Sequence, residues 1–289
     1  MYKALSPGAI GVKASNLEAA IAAARVGGFG GVEFSVHEVA DRVDKDGAES
    51  VKALFAAAGL QPAGWGLPTD WRGSDDKWRE GLAELPRLAQ AAHAIGCPRT
   101  STWIMPASDD LSFEDNKRFH VERFTPIARI LADNGCSVGL EFIGPKTLRD
   151  NRKYPFIYTL SGMLEMGAEI GPNAGLLLDC WHWHTSHGTL AELQALRPEQ
   201  VVYVHVNDAP AGVPTDEQLD NVRELPGATG VIDIAGFLQA LQSIGYTGPV
   251  TPEPFNKALA ELPSDEARLQ KVGAAMDDIF KKAGIGVRD

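Results

Sequence analysis

The stretch LLLDCWHWHTSHG, residues 176–188, places Asp179, His182, His184 and His187 within nine positions, directly after a run of leucines. Side chains of these types bind metals or move protons, but the three histidines would converge only in a helix or a tight loop. Three other apolar runs end the same way. GLEF delivers Glu141, VYVHV delivers His205 and VTPEPF delivers Glu253. Strand alternation sets Ser137, Gly139 and Glu141 on one side and Val138, Leu140 and Phe142 on the other, and it pairs Tyr203 with His205 on an inner face. Three carboxylates and one imidazole gathered at one place would repel and resist burial, and a divalent cation resolves that conflict. Oxygen-rich ligation with one histidine and no thiolate suits Mn2+ best, with Mg2+, Co2+ and Zn2+ compatible.

These residues meet only if the fold brings strand ends together. Short apolar runs alternate with amphipathic segments along the whole chain of 289 residues. Strands are expected within ALSPGAIGV, GGVEFSV, QPAGWGLP, CPRTSTWIMP, SVGLEFIG, AGLLLDCW, VVYVHVND and PVTPEPF. Helices are expected over 48–59, 74–95, 114–134, 159–170, 189–196, 233–244 and 264–283, with a further helix after Ser15, an N-cap at capping-box spacing from Glu18. Eight strands, each leading into a helix, predict an α/β fold of the (β/α)8 TIM barrel type, one domain over residues 1–289. An open doubly wound sheet competes, but SPGAIGVKAS is a poor match to the glycine-rich phosphate turn such sheets carry. In a barrel the strand C-termini build the active site, which places Glu141, Asp179, His205 and Glu253 at one mouth. Glu33 shares the inward parity, and Trp65, Trp103, Lys146 and Arg149 are further candidates for the mouth.

Composition narrows the function. With 38 acidic against 27 basic residues and no basic cluster, nucleic acid is not an expected partner. No run of about 18 apolar residues occurs and the start lacks a basic-then-apolar leader, so the expected setting is cytoplasmic, with no membrane partner. Cys97, Cys136 and Cys180 form no ligand-spaced pair and read as small buried hydrophobes.

GLEFIG, LLLDCWHWH, VVYVHVND, VRELPGATGVIDIAGFLQAL and GYTGPVTPEPF together resemble the xylose isomerase-like barrel superfamily of sugar phosphate isomerases and epimerases. The resemblance implies that Glu141, Asp179, His205 and Glu253 hold one metal ion, and that Glu141 and Glu253 form the acid/base pair. It also implies that His182 and Arg223 contact substrate. The implied activity is proton abstraction next to a carbonyl of a keto-sugar, sugar phosphate or polyol, with isomerisation or epimerisation as the outcome. A dehydratase or lyase acting on a keto-inositol or 3-keto-glycoside would use the same metal and base. The partner is a small carbohydrate or polyol, and a homo-oligomer is compatible with the sequence. One departure stands out. Ketose epimerases carry a second glutamate six residues after the first ligand, and this chain has Thr147 there, flanked by Lys146 and Arg149, which could meet a phosphate, carboxylate or glycoside oxygen. The rivals are a three-metal nuclease of the endonuclease IV type, disfavoured by the scarcity of early histidines, and a metal-free binding barrel, disfavoured because all four ligand positions are filled.

Overall fold

A computed structural model describes residues 1–286. Its parallel strands are β1 (Tyr2–Leu5), β2 (Gly31–Val32), β3 in two pieces (Gln61–Pro62 and Trp65–Gly66), β4 (Arg99–Ile104), β5 (Ser137–Phe142), β6 (Ala174–Asp179), β7 (Val201–Val206) and β8 (Pro249–Pro252). Each strand pairs with its sequence neighbours and β1 pairs with β8. The two ends of the hydrogen-bonded order are the two halves of β3, so the ring closes through the kink at Ala63 and Gly64. Gly64 is required there: a Cβ would sit 2.6 Å from the Tyr203 ring. The result is the expected (β/α)8 barrel.

The helices are α1 (Leu17–Val26), α2 (Val36–Asp46), α3 (Ala48–Ala57), α4 (Asp75–Ala94), α5 (Phe113–Asp133), α6 (Leu160–Ile170), α7 (Cys180–Thr185), α8 (Leu190–Gln194), α9 (Ile234–Ser243) and α10 (Asp265–Lys282). Three local expectations need correction. The first strand is Tyr2–Leu5, and Pro7–Ile10 turns into a 3-10 helix instead of extending it. The cap of α1 is Asn16, whose Oδ1 accepts from the Ala19 amide at 2.9 Å, while Glu18 pairs with Arg42. GGVEFSV stays extended only over Gly31–Val32, and α2 begins at Val36 with Ser35 as its cap.

Apolar burial falls into two layers. A large cluster fills the space between the sheet and the helices and includes Leu140, Phe142, Leu176, Leu178, Val204 and Val206. A small one, Ala4, Ala63, Leu177 and Tyr203, plugs the barrel interior. The three cysteines are buried and unpaired, as expected. Alternation along β5 to β8 thus sends apolar side chains outward and leaves the inward C-terminal positions to polar ones.

Candidate metal centre and active site

Glu141, Asp179, His205 and Glu253 end β5, β6, β7 and β8, and one ligand atom from each lies within 4.8 Å of the others. His205 Nδ1 is 3.4 Å from Glu253 Oε2 and 3.6 Å from Glu141 Oε1. Glu141 Oε1 and His205 Nδ1 are buried and lack a hydrogen-bond partner among the described residues. Leaving such atoms unsatisfied costs several kcal/mol in general terms, about 1–3 per atom, and a divalent cation between them would satisfy both. The donor set of three carboxylates and one imidazole therefore fits a hard or borderline divalent ion.

The electrostatics of the cluster are asymmetric. Burial pushes the Glu141 carboxyl up to about 8, with His205 opposing and the charges of Glu253 and Asp179 adding to the rise. Burial also raises Asp179, and Arg223 opposes it. At Glu253 burial is outweighed by His205 and Arg223, and its carboxyl falls below the usual range. His205 is buried too, yet Glu253 and Glu141 hold it well above an ordinary imidazole.

Asp179 has a second task. Its Oδ1 accepts from the Trp181 amide at 2.8 Å, capping α7, and from Asn207 Nδ2 at 3.1 Å. The chain thus enters a short helix straight from a ligand position, and the stretch after β6 is helical through Thr185. On a helix, residues two apart face different ways. His182 faces the cluster and is 1% exposed, with its Nε2 3.9 Å from carboxylate oxygens of Glu141, Asp179 and Asp220. The Gly144 amide lies 3.2 Å from His182 Nδ1 and Arg223 Nη2 lies 3.3 Å from His182 Nε2, so the ring sits between two N–H donors. Gly144 is held close to α7: a Cβ there would lie 2.2 Å from the His182 carbonyl oxygen. Burial, then the positive charges of Arg223 and His205, keep His182 neutral. His184 is not brought to the cluster, and His187 pairs with Asp216 on the surface at 2.8 Å. Trp181 and Trp183 are buried packing residues, the latter against Phe237.

Arg223 is 2% exposed and heavily engaged. Nη1 donates to Asp179 Oδ2 at 2.8 Å and to Glu253 Oε2 at 3.2 Å, and Nη2 donates to Asp220 Oδ1 at 2.8 Å. Its guanidinium lies 5.2 Å from the Trp181 ring and 4.7 Å from the Phe255 ring. Phe255 holds that place with a φ of 38°, a conformation rare for a bulky residue.

The other sequence candidates fall in different places. Glu33 lies just beyond β2, half-buried, with Ser6 and Tyr203 beside it, and burial raises its carboxyl while His205 opposes. Trp103 pairs in register with Glu141 and is 45% exposed, so it stands on the same face at the mouth. Trp65 is not brought to the cluster: it is buried in the outer apolar layer with its indole N–H toward the Cys97 carbonyl at 3.3 Å. Lys146 pairs with Asp150 in the turn after β5 and is not among the residues of the cluster. Thr147, at the position of the departure, donates to the Gln218 carbonyl at 2.9 Å and ties two loops together.

Sequence reasoning missed Asn207, Asp208 and Asp220. Asp208 is fully buried and accepts four amide N–H groups, from Ala209, Thr229, Gly230 and Ile232, at 2.8–3.0 Å. It anchors the long loop that presents Asp220 and Arg223.

Residues 21–277 match the family described as xylose isomerase-like TIM barrel. The chain belongs to that family. It is 25% identical over 224 residues to an inosose isomerase of Halalkalibacterium halodurans, spanning 76% of this chain and 75% of that protein. A shorter match, 33% identical over 93 residues, links 32% of the chain to 14% of a 3-dehydroshikimate dehydratase of Pseudomonas aeruginosa. The structure superposes on a xylose isomerase domain protein from Alicyclobacillus acidocaldarius with a TM-score of 0.85 and 30% identity, covering 98% of this chain and 99% of that one. No helix among the described residues is long and apolar enough to cross a membrane.

Proposed function

We propose that this protein is a divalent-metal-dependent isomerase or epimerase of a keto-sugar or related polyol, acting by proton transfer at the carbon next to the carbonyl, with Mn2+ as its ion. The observation that carries this reading is the convergence of two carboxylates, from β5 and β8, on the same His205 Nδ1, 3.6 and 3.4 Å away. Strands three places apart in the barrel deliver Glu141 and Glu253 from different directions, the arrangement needed to remove a proton from one face of a carbon and return it to another. Held by Glu141, Asp179, His205 and Glu253, a divalent ion would supply positive charge where an enediolate develops negative charge. Glu253, kept anionic by His205 and Arg223, is the group suited to take the proton. His182, with its Nε2 facing the carboxylates, is placed to contact a substrate oxygen, and its neutrality avoids competing with the ion for the carboxylates.

A second reading, a dehydratase working on a hydroxy-ketone, draws on His182. Its Nε2 faces the cluster and would donate to a departing oxygen when that nitrogen carries the ring proton, and the same carboxylate would abstract the substrate proton. The test is NMR in D2O on the Mn2+-loaded protein with a panel of ketoses, sugar phosphates, inosose and 3-dehydroshikimate. Deuterium entering beside the carbonyl, with inversion or carbonyl migration, is the expected result, and water loss with a new enone supports the dehydratase. Glu141→Gln and Glu253→Gln are each expected to stop exchange while circular dichroism is unchanged. Retained exchange in either variant overturns the acid/base roles.

A further inference from the structure

The cations around the mouth differ in what they are tied to. Arg223 is committed to carboxylates, and Arg149 donates to the Gly144 carbonyl while stacking 3.7 Å from the Tyr158 ring. Lys146 pairs with Asp150 and Arg152 with Asp109. Arg72 is different. It lies on the loop leaving the second half of β3, on the same side of the barrel as the cluster, with its guanidinium 3.9 Å from the Trp71 ring and 3.8 Å from the Trp103 ring. Its hydrogen bond runs to the Trp103 carbonyl, and among the described residues no carboxylate pairs with it. In a chain with 38 acidic residues, a buried or surface partner would be easy to supply.

The clamp around Arg72 is built from fixed parts. Trp71 is buried, with its indole N–H toward Thr102 Oγ1 at 3.4 Å and its ring against Phe124 and His120 at 4.9 and 5.1 Å. Trp103 is the register partner of Glu141, so the ring under Arg72 rises beside a member of the cluster. Apart from the bond to the Trp103 carbonyl, the N–H groups on the edge of this guanidinium have no partner among the described residues, and such an edge is where an arginine meets a planar acceptor bidentately. Freezing the side chain before a ligand arrives also lowers the entropy lost on binding.

We propose that Arg72 is a specificity residue that reads a carboxylate on the substrate, so that the natural substrate is a hydroxy-ketone bearing a carboxylate instead of a neutral polyol. The inference rests on the reading of the site above, because it needs the rest of the substrate to lie at Glu141. A ligand seated there and extending toward β4 passes along Trp103 and reaches the guanidinium.

Calorimetry with unreactive probes separates this inference from the reaction. Shikimate and its methyl ester are titrated into the Mn2+-loaded wild type, Arg72→Gln and Arg72→Lys. The wild type is expected to bind the acid at least about tenfold more tightly than the ester, the factor a charge-assisted hydrogen-bonded pair supplies. Arg72→Gln should erase that preference with ester affinity within about threefold of wild type, and Arg72→Lys, which keeps the charge and loses the fork, should fall between. No preference in the wild type, no binding of either probe, or equal weakening of acid and ester in Arg72→Gln overturns the proposal, the last making Arg72 a brace for Trp103. Turnover is read in parallel with 3-dehydroshikimate and inosose. If neither exchanges deuterium while acid binding still depends on Arg72, the reaction reading has failed and the carboxylate site stands.

Discussion

Asp208→Asn is an isosteric change that removes one charge from the anchor of the loop over 209–232. In the wild type Oδ1 accepts from Ala209 and Ile232, and Oδ2 accepts from Thr229 and Gly230. The amide keeps one oxygen, and so two of those bonds, but turns an NH2 group toward two amide donors. Hydrogen bonds to a charged group are worth about 1.5–3 kcal/mol each, so losing two predicts about 3–6 kcal/mol of destabilisation. That is a large part of the 5–15 kcal/mol by which a typical domain is stable, roughly speaking, so the loop is expected to detach before the barrel unfolds. Arg223 would leave with it, and Asp179 and Glu253 would lose the cation that bonds them. Urea denaturation gives the global cost, amide hydrogen exchange over 209–232 reports the loop, and titration with Mn2+ reports the ligand cluster. A stability loss under about 1 kcal/mol with unchanged exchange protection would refute the anchoring argument.

Two further outcomes follow from individual histidines. His182→Ala is expected to lower turnover at least about 100-fold, since it removes the imidazole facing the cluster, while His184→Ala should stay within about threefold; equal losses in steady-state assays would show that facing direction does not decide the role. His120 is buried, donates Nδ1–H to the Asn116 carbonyl at 2.8 Å and stacks on Phe156; burial, with help from Arg72, pushes it down to about 4. Since an unfolded histidine titrates near 6.5, the unfolded state binds a proton that the folded state refuses between those values, and stability is lost as pH falls through that window. The loss should be about 2 kcal/mol between pH about 7.5 and 5, and urea titrations of His120→Phe should show a shallower decline than wild type; parallel declines would count against it.

The barrel was legible because its strands obey one rule. Val138, Leu140 and Phe142 along β5, and Val204 and Val206 along β7, are apolar and pack outward, so the pattern reads as two faces. The rule failed where the elements are short. GGVEFSV alternates well enough for a strand, but Val36, Val39, Ala40 and Val43 also follow helical spacing, and the Ser35 hydroxyl accepting from the Glu38 amide settles that contest in favour of α2. Trp65 illustrates the same limit. Its position in QPAGWGLP suggests the mouth, but the strand breaks at Ala63 and Gly64 to accommodate Tyr203, and after the break Trp65 joins the outer layer.

The candidate site divides along a similar line. Glu141, Asp179, His205 and Glu253 are recognisable because each terminates an apolar run, and a charge there has no comfortable place except with its equivalents from neighbouring strands. Asp208, Asp220 and Arg72 carry no such signal. Three of the four partners of Asp208 are backbone amides more than 20 residues away, and Arg72 meets the rings of Trp71 and of the distant Trp103. Neither contact leaves a period or a spacing in the sequence. Side chains that face a metal are therefore dictated by strand parity, whereas side chains that face a substrate depend on loops whose course is fixed by long-range hydrogen bonds. This is why the cluster could be read from a single chain while the cations around it could not: Lys146 is tied to Asp150, and of the two arginines there that pair with no carboxylate among the described residues, Arg149 meets the Gly144 carbonyl and Arg72 stands beside Trp103.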